Sequence, residues 1–297
     1  MGREPTRAGL LTQGDGRTVQ VVILGNVHKS RVQPAAEHVR RVVQRYAELV
    51  AYDLKQEMDL STVRADLVIV LGGDGAILRA AHQMGTNQMP VMGVNLGKLG
   101  FLAEVAPEEF ETVFRTVLDG NYQVLDHLML LCRLRTAETA CRAELLSLNE
   151  VVVQAGPPFR MVEVELSIDG EQVASFAGDG LILATPVGST AHSLAAGGPI
   201  LRQDIAAVVI TPLCPHTLTA RPLVDAAERL YTLTVRPSVL PSSAFLVVDG
   251  IQVAQVGPGD VIEVRAAPVR FRLIQLRGRS YYRRLREKLG WGGDPRR

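Results

Sequence analysis

The feature that most limits the fold of this chain is a change of hydrophobic rhythm near Tyr122. Before it, short apolar runs alternate with segments of helical spacing. Val19 to Leu24 is a β-branched run ending at Gly25-Asn26, and Pro34 to Val50 sets Val39, Val42, Val43, Tyr46, Leu49 and Val50 at helical intervals. Leu67 to Leu71 is continuously apolar, as in a parallel strand covered on both faces. It leads through Gly72-Gly73-Asp74-Gly75 into a helix over Ala76 to Met84. Val91 to Val94 reads as another strand, and Pro107 to Leu118, acidic at Glu108 and Glu109, as another helix.

After Tyr122 short alternating runs take over: Leu128–Leu134, Val151–Val153, Val162–Ile168, Leu181–Ala184, Val208–Thr211, Leu230–Val235, Phe245–Val248 and Val261–Val264. Turn signals such as Asp169-Gly170 and Gly257-Pro258-Gly259-Asp260 separate them. The expected class is therefore α/β plus all-β: an N-terminal doubly wound, Rossmann-like α/β domain and a C-terminal β-sandwich-like domain. The expected boundaries are a flexible tail over 1–18, the α/β domain over 19–122, the β-rich domain over 123–270, and a C-terminal segment over 271–297 that packs back on the α/β domain.

Composition excludes several classes. Acids and bases nearly cancel, leaving a net charge of +1, so no global field favours nucleic acid or an anionic membrane. No apolar run reaches the ~18–20 residues that span a bilayer, and the N-terminus lacks the apolar stretch of a signal peptide. Gly2 and Thr6 formally match a myristoylation pattern, which is short and often matched by chance. Cys132, Cys141 and Cys214 form an odd, sparse set that fits reduced thiols in a cytoplasmic protein. The basic C-terminal segment places Tyr281, Leu285 and Leu289 at i, i+4 and i+8. An apolar stripe needs burial, so a docked helix with arginines facing solvent is preferred to a nucleic-acid arm.

The candidate chemistry lies in three places. Adjacent glycines at the 72–75 turn let backbone N–H groups approach an anion, and the following helix start favours negative charge. Asp74 is out of place beside a phosphate. It either caps the helix, holds magnesium, or accepts a proton from an attacking hydroxyl. The block from Phe176 to Leu201 contains Gly178-Asp179-Gly180, Gly188-Ser189-Thr190 and Gly197-Gly198-Pro199, as in a loop shaped around a polar ligand. Asn149-Glu150, just before an apolar run, offers an amide and a carboxylate that suit a nucleoside, though alone such a pair carries no signal.

Together these residues resemble the NAD kinase family, over most of the chain from Val19 to Trp291. The resemblance is carried by the glycine turn with Arg79 beyond it, GVNLGKLGFLAEV at 93–105, Asn149-Glu150, GDGLILATPVGSTAHSLAAGGPI at 178–200, PHTLTARPLV at 215–224 and LREKLGW at 285–291. The glycine turn alone is shared with lipid kinases and phosphofructokinase-like enzymes; the Gly-Ser-Thr-Ala block with Asn-Glu is the specific part.

The resemblance implies transfer of a phosphoryl group from ATP or polyphosphate to the adenosine ribose 2′-hydroxyl of NAD, giving NADP. Asp74 would accept the hydroxyl proton, and Gly72, Gly73 and Gly75 would line the phosphate path. Arg79 and Arg160 would meet anionic parts of the dinucleotide. Asn149 and Glu150 would contact NAD, and Asp179 would hold it from a second side. Thr190, Ala191, His192, Ser193, Leu194 and Ala195 would wall the adenine–ribose pocket. A divalent cation, magnesium, would accompany the nucleotide, and the chain would form a cytoplasmic homo-oligomer with no nucleic-acid or membrane partner. The sequence departs from the family pattern at His192, where tyrosine is usual, at Val187, at Ala195 and at Ile251 after Asp249-Gly250. A lipid kinase and a non-catalytic NAD-binding module are the competing readings.

Overall fold

The structure is a computed structural model of the chain that describes residues 17–97, 100–136, 141–236 and 243–291. Residues 1–16 of the expected N-terminal tail, with Gly2 and Thr6, and the pair Lys98-Leu99 lie outside these residues, while Arg17 pairs with Asp66 at 2.6 Å. The described residues fall into two compact units, drawn from Met1–Asp126 with Phe271–Arg297 and from His127–Arg270.

In the first unit, β1 (Gln20–Leu24) leads to α1 (Val32–Tyr46) and β2 (Glu48–Asp53); β3 (Leu67–Leu71) leads to α2 (Asp74–Met84) and β4 (Val91–Val94). A 3-10 turn at Pro107–Glu109 then opens α3 (Phe110–Leu118). The strands pair in parallel in the order β2-β1-β3-β4, with Val21 beside Leu67 and Val68 beside Val91. All five residues of β3 are buried, as its uninterrupted apolar run requires. The helices bury one stripe each: Val32, Ala36, Val39, Val42 and Val43 from α1, and Phe110, Val113, Phe114 and Val117 from α3, join Ile23, Ile69 and Met92 in one core.

The expected helix over Pro34 to Val50 is shorter than its periodicity predicts. Ala47 is extended and caps the helix through its N–H to the Val43 carbonyl, while Leu49 and Val50 belong to β2. Parallel pairing to β1 takes over these residues, although they stay in phase with the helix. The order also places a topological switch between β1 and β3, because the chain leaves them toward opposite edges. In open α/β sheets ligands bind beyond the carboxyl ends of strands at such a point, and that is where β3 delivers the glycine turn.

The second unit is built from antiparallel strands. After β5 (Tyr122–Arg135), β6 (Ala143–Ser147) pairs back on it. Next come β7 (Glu150–Gly156), β8 (Val162–Ile168), β9 (Glu171–Gly178) and β10 (Gly180–Ala184), a 3-10 turn at Gly188–Thr190, and the single-turn α4 (His192–Ala195). The remaining strands are β11 (Ala207–Leu213), β12 (Leu223–Ala226), β13 (Tyr231–Val235), β14 (Ser243–Val248), β15 (Ile251–Val256) and β16 (Val261–Leu276).

One sheet runs β12-β11-β10-β7-β14-β15. In the other, β13 lies between β16 and β8, with β9 next to β8. Leu130, Val164, Leu166, Leu233 and Ile262 from the second sheet share a core with Val151, Val153, Leu181, Ile210 and Leu246 from the first, so the unit is a sandwich. The first sheet is covered on its outer face too: Ile182 and Ala184 pack with Val152, Val209 and Leu201. Hence β10 is buried along its whole length. The last residues of β16, where Leu273 pairs with Val91, and α5 (Tyr281–Leu289) complete the first unit.

Candidate active site

The glycine turn is shaped by its neighbours. Gly72 has φ +149 and would place a Cβ 2.8 Å from that of Ala76, so no other residue fits well. Gly73, extended, precedes α2 without any side-chain cap. Among the described residues nothing lies within 4 Å of the positions a Cβ would take at Gly73 or Gly75.

Asp74 is the first residue of α2, and its side chain does not cap the helix. Its carboxylate instead collects backbone N–H groups from the segment after β4: Phe101 at 2.8 Å, Leu102 at 3.0 Å and Ala103 at 3.3 Å. Two glycines admit this approach. A Cβ on Gly100 would sit 2.2 Å from Asp74 Oδ1, and one on Gly93 would meet Ala103 Cα at 2.8 Å. A carboxylate has about four lone-pair sites; three amides leave room for one further donor. Arg79 lies exposed on α2.

A cationic element backs this loop. Arg279 donates to the Glu104 carbonyl and pairs with Glu109 at 2.6 Å. On α5 the expected stripe is present, with Leu285 buried and Tyr281 and Leu289 half-buried. The expectation that the helix arginines face solvent holds for Arg283 and Arg286 but not for Arg284, which is 6% exposed and paired with Glu104. Burial lowers the Arg284 guanidinium below its usual range, and the nearby Asp74 charge offsets part of that.

In the second unit the Asn149-Glu150 pair is fixed by a residue that the sequence reading named only as part of an altered motif and gave no role. Asp249, at positive φ in the turn between β14 and β15, accepts hydrogen bonds from Ser147 Oγ and from the N–H groups of Leu148, Asn149 and Glu150 at 2.7–3.0 Å. The Asn149 carbonyl accepts from Thr185 N–H at 2.8 Å and lies 2.0 Å from where a Cβ would stand on Gly188. The pair is thereby held against the Gly-Ser-Thr turn.

Glu150 is 6% exposed, and its Oε2 has no hydrogen-bond partner among the described residues. Burial, then the Asp249 charge, push its carboxyl up to about 8; a hydrogen bond from His192 N–H acts in the opposite direction. The carboxyl therefore keeps its proton at neutral pH and can donate as well as accept.

The other expected site residues divide. Thr190, Ala191 and Leu194 are half-buried, while His192 and Ala195 are exposed. Ser193 turns inward, its hydroxyl 2.8 Å from that of Thr211, so its side chain is spent on the fold. Asp179 is exposed, and its carboxylate accepts from the Cys214 thiol. It sits between two glycines that strand contacts demand: a Cβ on Gly180 would lie 2.1 Å from the Val153 carbonyl oxygen, and one on Gly178 2.6 Å from that of Leu213. Arg160 is exposed in the turn after β7, and no hydrogen bond joins it to the other candidates among the described residues.

A strand–glycine turn–helix with a carboxylate oriented by backbone amides, in a chain that also carries a β-sandwich unit, fits a kinase. The sequence profile of the ATP-NAD kinase N-terminal domain matches residues 10–122, and that of the ATP-NAD kinase C-terminal domain matches residues 148–276. The chain belongs to the NAD kinase family.

A protein named NAD kinase from Rhodopirellula baltica is 46% identical over 281 residues, covering 94% of this chain and 89% of its own length. One from Citrifermentans bemidjiense is 36% identical, covering 92% and 99%. Among solved structures, yeast NADH kinase complexed with NADH superposes with a TM-score of 0.85 at 25% identity, covering 94% of this chain and 89% of that one. An NAD kinase from Archaeoglobus fulgidus shares the fold, with a TM-score of 0.72 at 24% identity, covering 92% and 100%. Family membership decides against the lipid-kinase reading.

Proposed function

We propose that the chain phosphorylates the adenosine ribose 2′-hydroxyl of NAD with ATP as donor, and that Asp74 accepts the hydroxyl proton. The 2′-oxygen forms a bond to the γ-phosphorus, the bond to the leaving ADP breaks, and the displaced proton passes to the carboxylate. The observation that carries this reading is the Asp74 carboxylate, oriented by three amides with one lone-pair position left, in a turn whose Gly73 and Gly75 have no described atom within 4 Å of their Cβ positions. Such transfer is catalysed mainly by positioning and charge. The amides fix the carboxylate before substrate arrives, and the glycine turn with the start of α2 presents N–H groups to phosphate oxygens.

In the second unit, the buried Oε2 of Glu150, without a hydrogen-bond partner among the described residues, supports a nucleoside hydroxyl in that place. Asn149, Asp179 and the Thr190–Ala195 turn complete the NAD contacts in this reading, and Arg79 and Arg160 meet phosphates. NAD fits the family, in which the yeast relative was solved with NADH. Among the described residues no three carboxylate, imidazole or thiol groups cluster as a metal cage. A magnesium ion would be carried on the triphosphate oxygens, where it would neutralise charge.

No helix among the described residues is long and apolar enough to cross a membrane. We read the chain as a cytoplasmic homo-oligomer, and exposed Phe159, Met161, Leu223 and Val224 on the second unit supply apolar surface for self-association. The test is NADP formation by the pure protein with ATP and with polyphosphate, each supplied with NAD and with NADH. NADP from NAD and ATP is expected; no phosphorylated dinucleotide under any combination refutes the proposal.

A further inference from the structure

The segment whose amides hold Asp74 is itself held by the C-terminal helix. Lys288 Nζ lies 5.9 Å from the centroid of the Phe101 ring at one end of the segment, and Arg284 and Arg279 bind Glu104 at the other. Phe101 is the first of the three donors, and Glu104 follows the last. Arg284 differs from the exposed cations around it. Burying a guanidinium is costly even when it is paired, and an apolar residue would fill the same position at no electrostatic cost. Among the described residues its Nε and Nη1 make no hydrogen bond, so the ion pair with Glu104 is what answers its charge, an expense that packing alone does not explain. Two carboxylates answer to it: Glu104 by direct pairing, and Asp74 through its charge.

We propose that Arg284 is a positioning residue for phosphoryl transfer: with Glu104 it locks the Phe101–Ala103 amides around Asp74 and so sets the orientation in which that carboxylate meets the acceptor hydroxyl. This rests on Asp74 as proton acceptor. Arg284 need touch no substrate. Its loss leaves binding in place and disorders the reacting group, so it acts on kcat and not on KM.

The test uses the full chain as wild type, Arg284→Met, Arg284→Lys, the double variant Arg284→Met/Glu104→Gln, and Asp74→Asn. Initial rates of NADP formation are measured across NAD and ATP concentrations, with thermal melting alongside. The single Met variant removes the cation facing the Glu104 carboxylate, leaving it the Gln275 amide as donor, and melts low. The double variant removes both charges and melts near wild type. In the double variant kcat is expected to fall about tenfold, with both KM values within about twofold of wild type. Arg284→Lys keeps a charge for Glu104 and recovers part of the loss.

Wild-type kcat in the double variant overturns the proposal, as does a loss confined to KM. The two readings separate cleanly. Full activity in Asp74→Asn removes the proton-acceptor role itself, whereas an inactive Asp74→Asn beside a fully active double variant removes only the role of Arg284.

Discussion

Replacing Glu150 with glutamine should remove a pH dependence of stability that the second unit carries. The Glu150 carboxyl is raised to about 8, first by burial and second by Asp249, whereas in the unfolded chain a glutamate titrates near ~4.3. Between those values the folded protein keeps a proton that the unfolded chain releases. The sign follows: stability from this group is full below about pH 4 and falls as pH rises toward 8.

Each pH unit in that window costs about 1.4 kcal/mol, so pH 5.5 to 7.5 costs ~2–3 kcal/mol. For a unit of this size that corresponds to a melting-point loss of ~5–10 °C. Glutamine carries no titrating group, and its amide oxygen still accepts from His192 N–H. Thermal melts of both proteins at pH 5.5, 6.5 and 7.5 give the readout. The gap in melting temperature should open with pH, the variant becoming the more stable. A gap that stays constant across the three values would refute the buried, protonated carboxyl.

Two further substitutions probe the scaffolding. Asp249→Ala strands the N–H groups of Leu148, Asn149 and Glu150 that its carboxylate now accepts; the loss should reach roughly 2–4 kcal/mol in denaturant unfolding, with weakened NAD binding by calorimetry. Gly100→Ala puts a methyl group where the structure allows only 2.2 Å to Asp74 Oδ1. The variant should melt close to wild type, because a carboxylate can swing, yet lose about tenfold in kcat; unchanged steady-state kinetics would contradict the geometry.

The α/β half was legible because its signals are local. Leu67–Leu71 has no polar residue, and α3 repeats its apolar residues at helical spacing. The miss at Leu49 and Val50 arose because strand pairing to β1 prevails over a periodicity those residues also satisfy. Edge strands were invisible for a different reason. In β9 and β15 most side chains are exposed or half-buried, so no alternation marks them.

In the site, the glycine turn located Asp74, but not its partners. They are backbone amides 27–29 residues away, which carry no side-chain signature. Asp249 lies about a hundred residues from the pair it orders and was visible only as part of an altered motif. Arg284 could have been found: it stands three residues after Tyr281, at the margin of the apolar stripe. A basic composition concealed which arginine was buried.

The measurement that bears most directly on the account is turnover of Asp74→Asn against wild type, with NAD affinity determined on the same preparations. Asparagine preserves shape and lacks the basicity, so dissociation constants should agree within about twofold while NADP formation drops ~10²–10⁴-fold. Equal turnover from the two proteins would contradict the assignment of Asp74 as the group that takes the ribose proton.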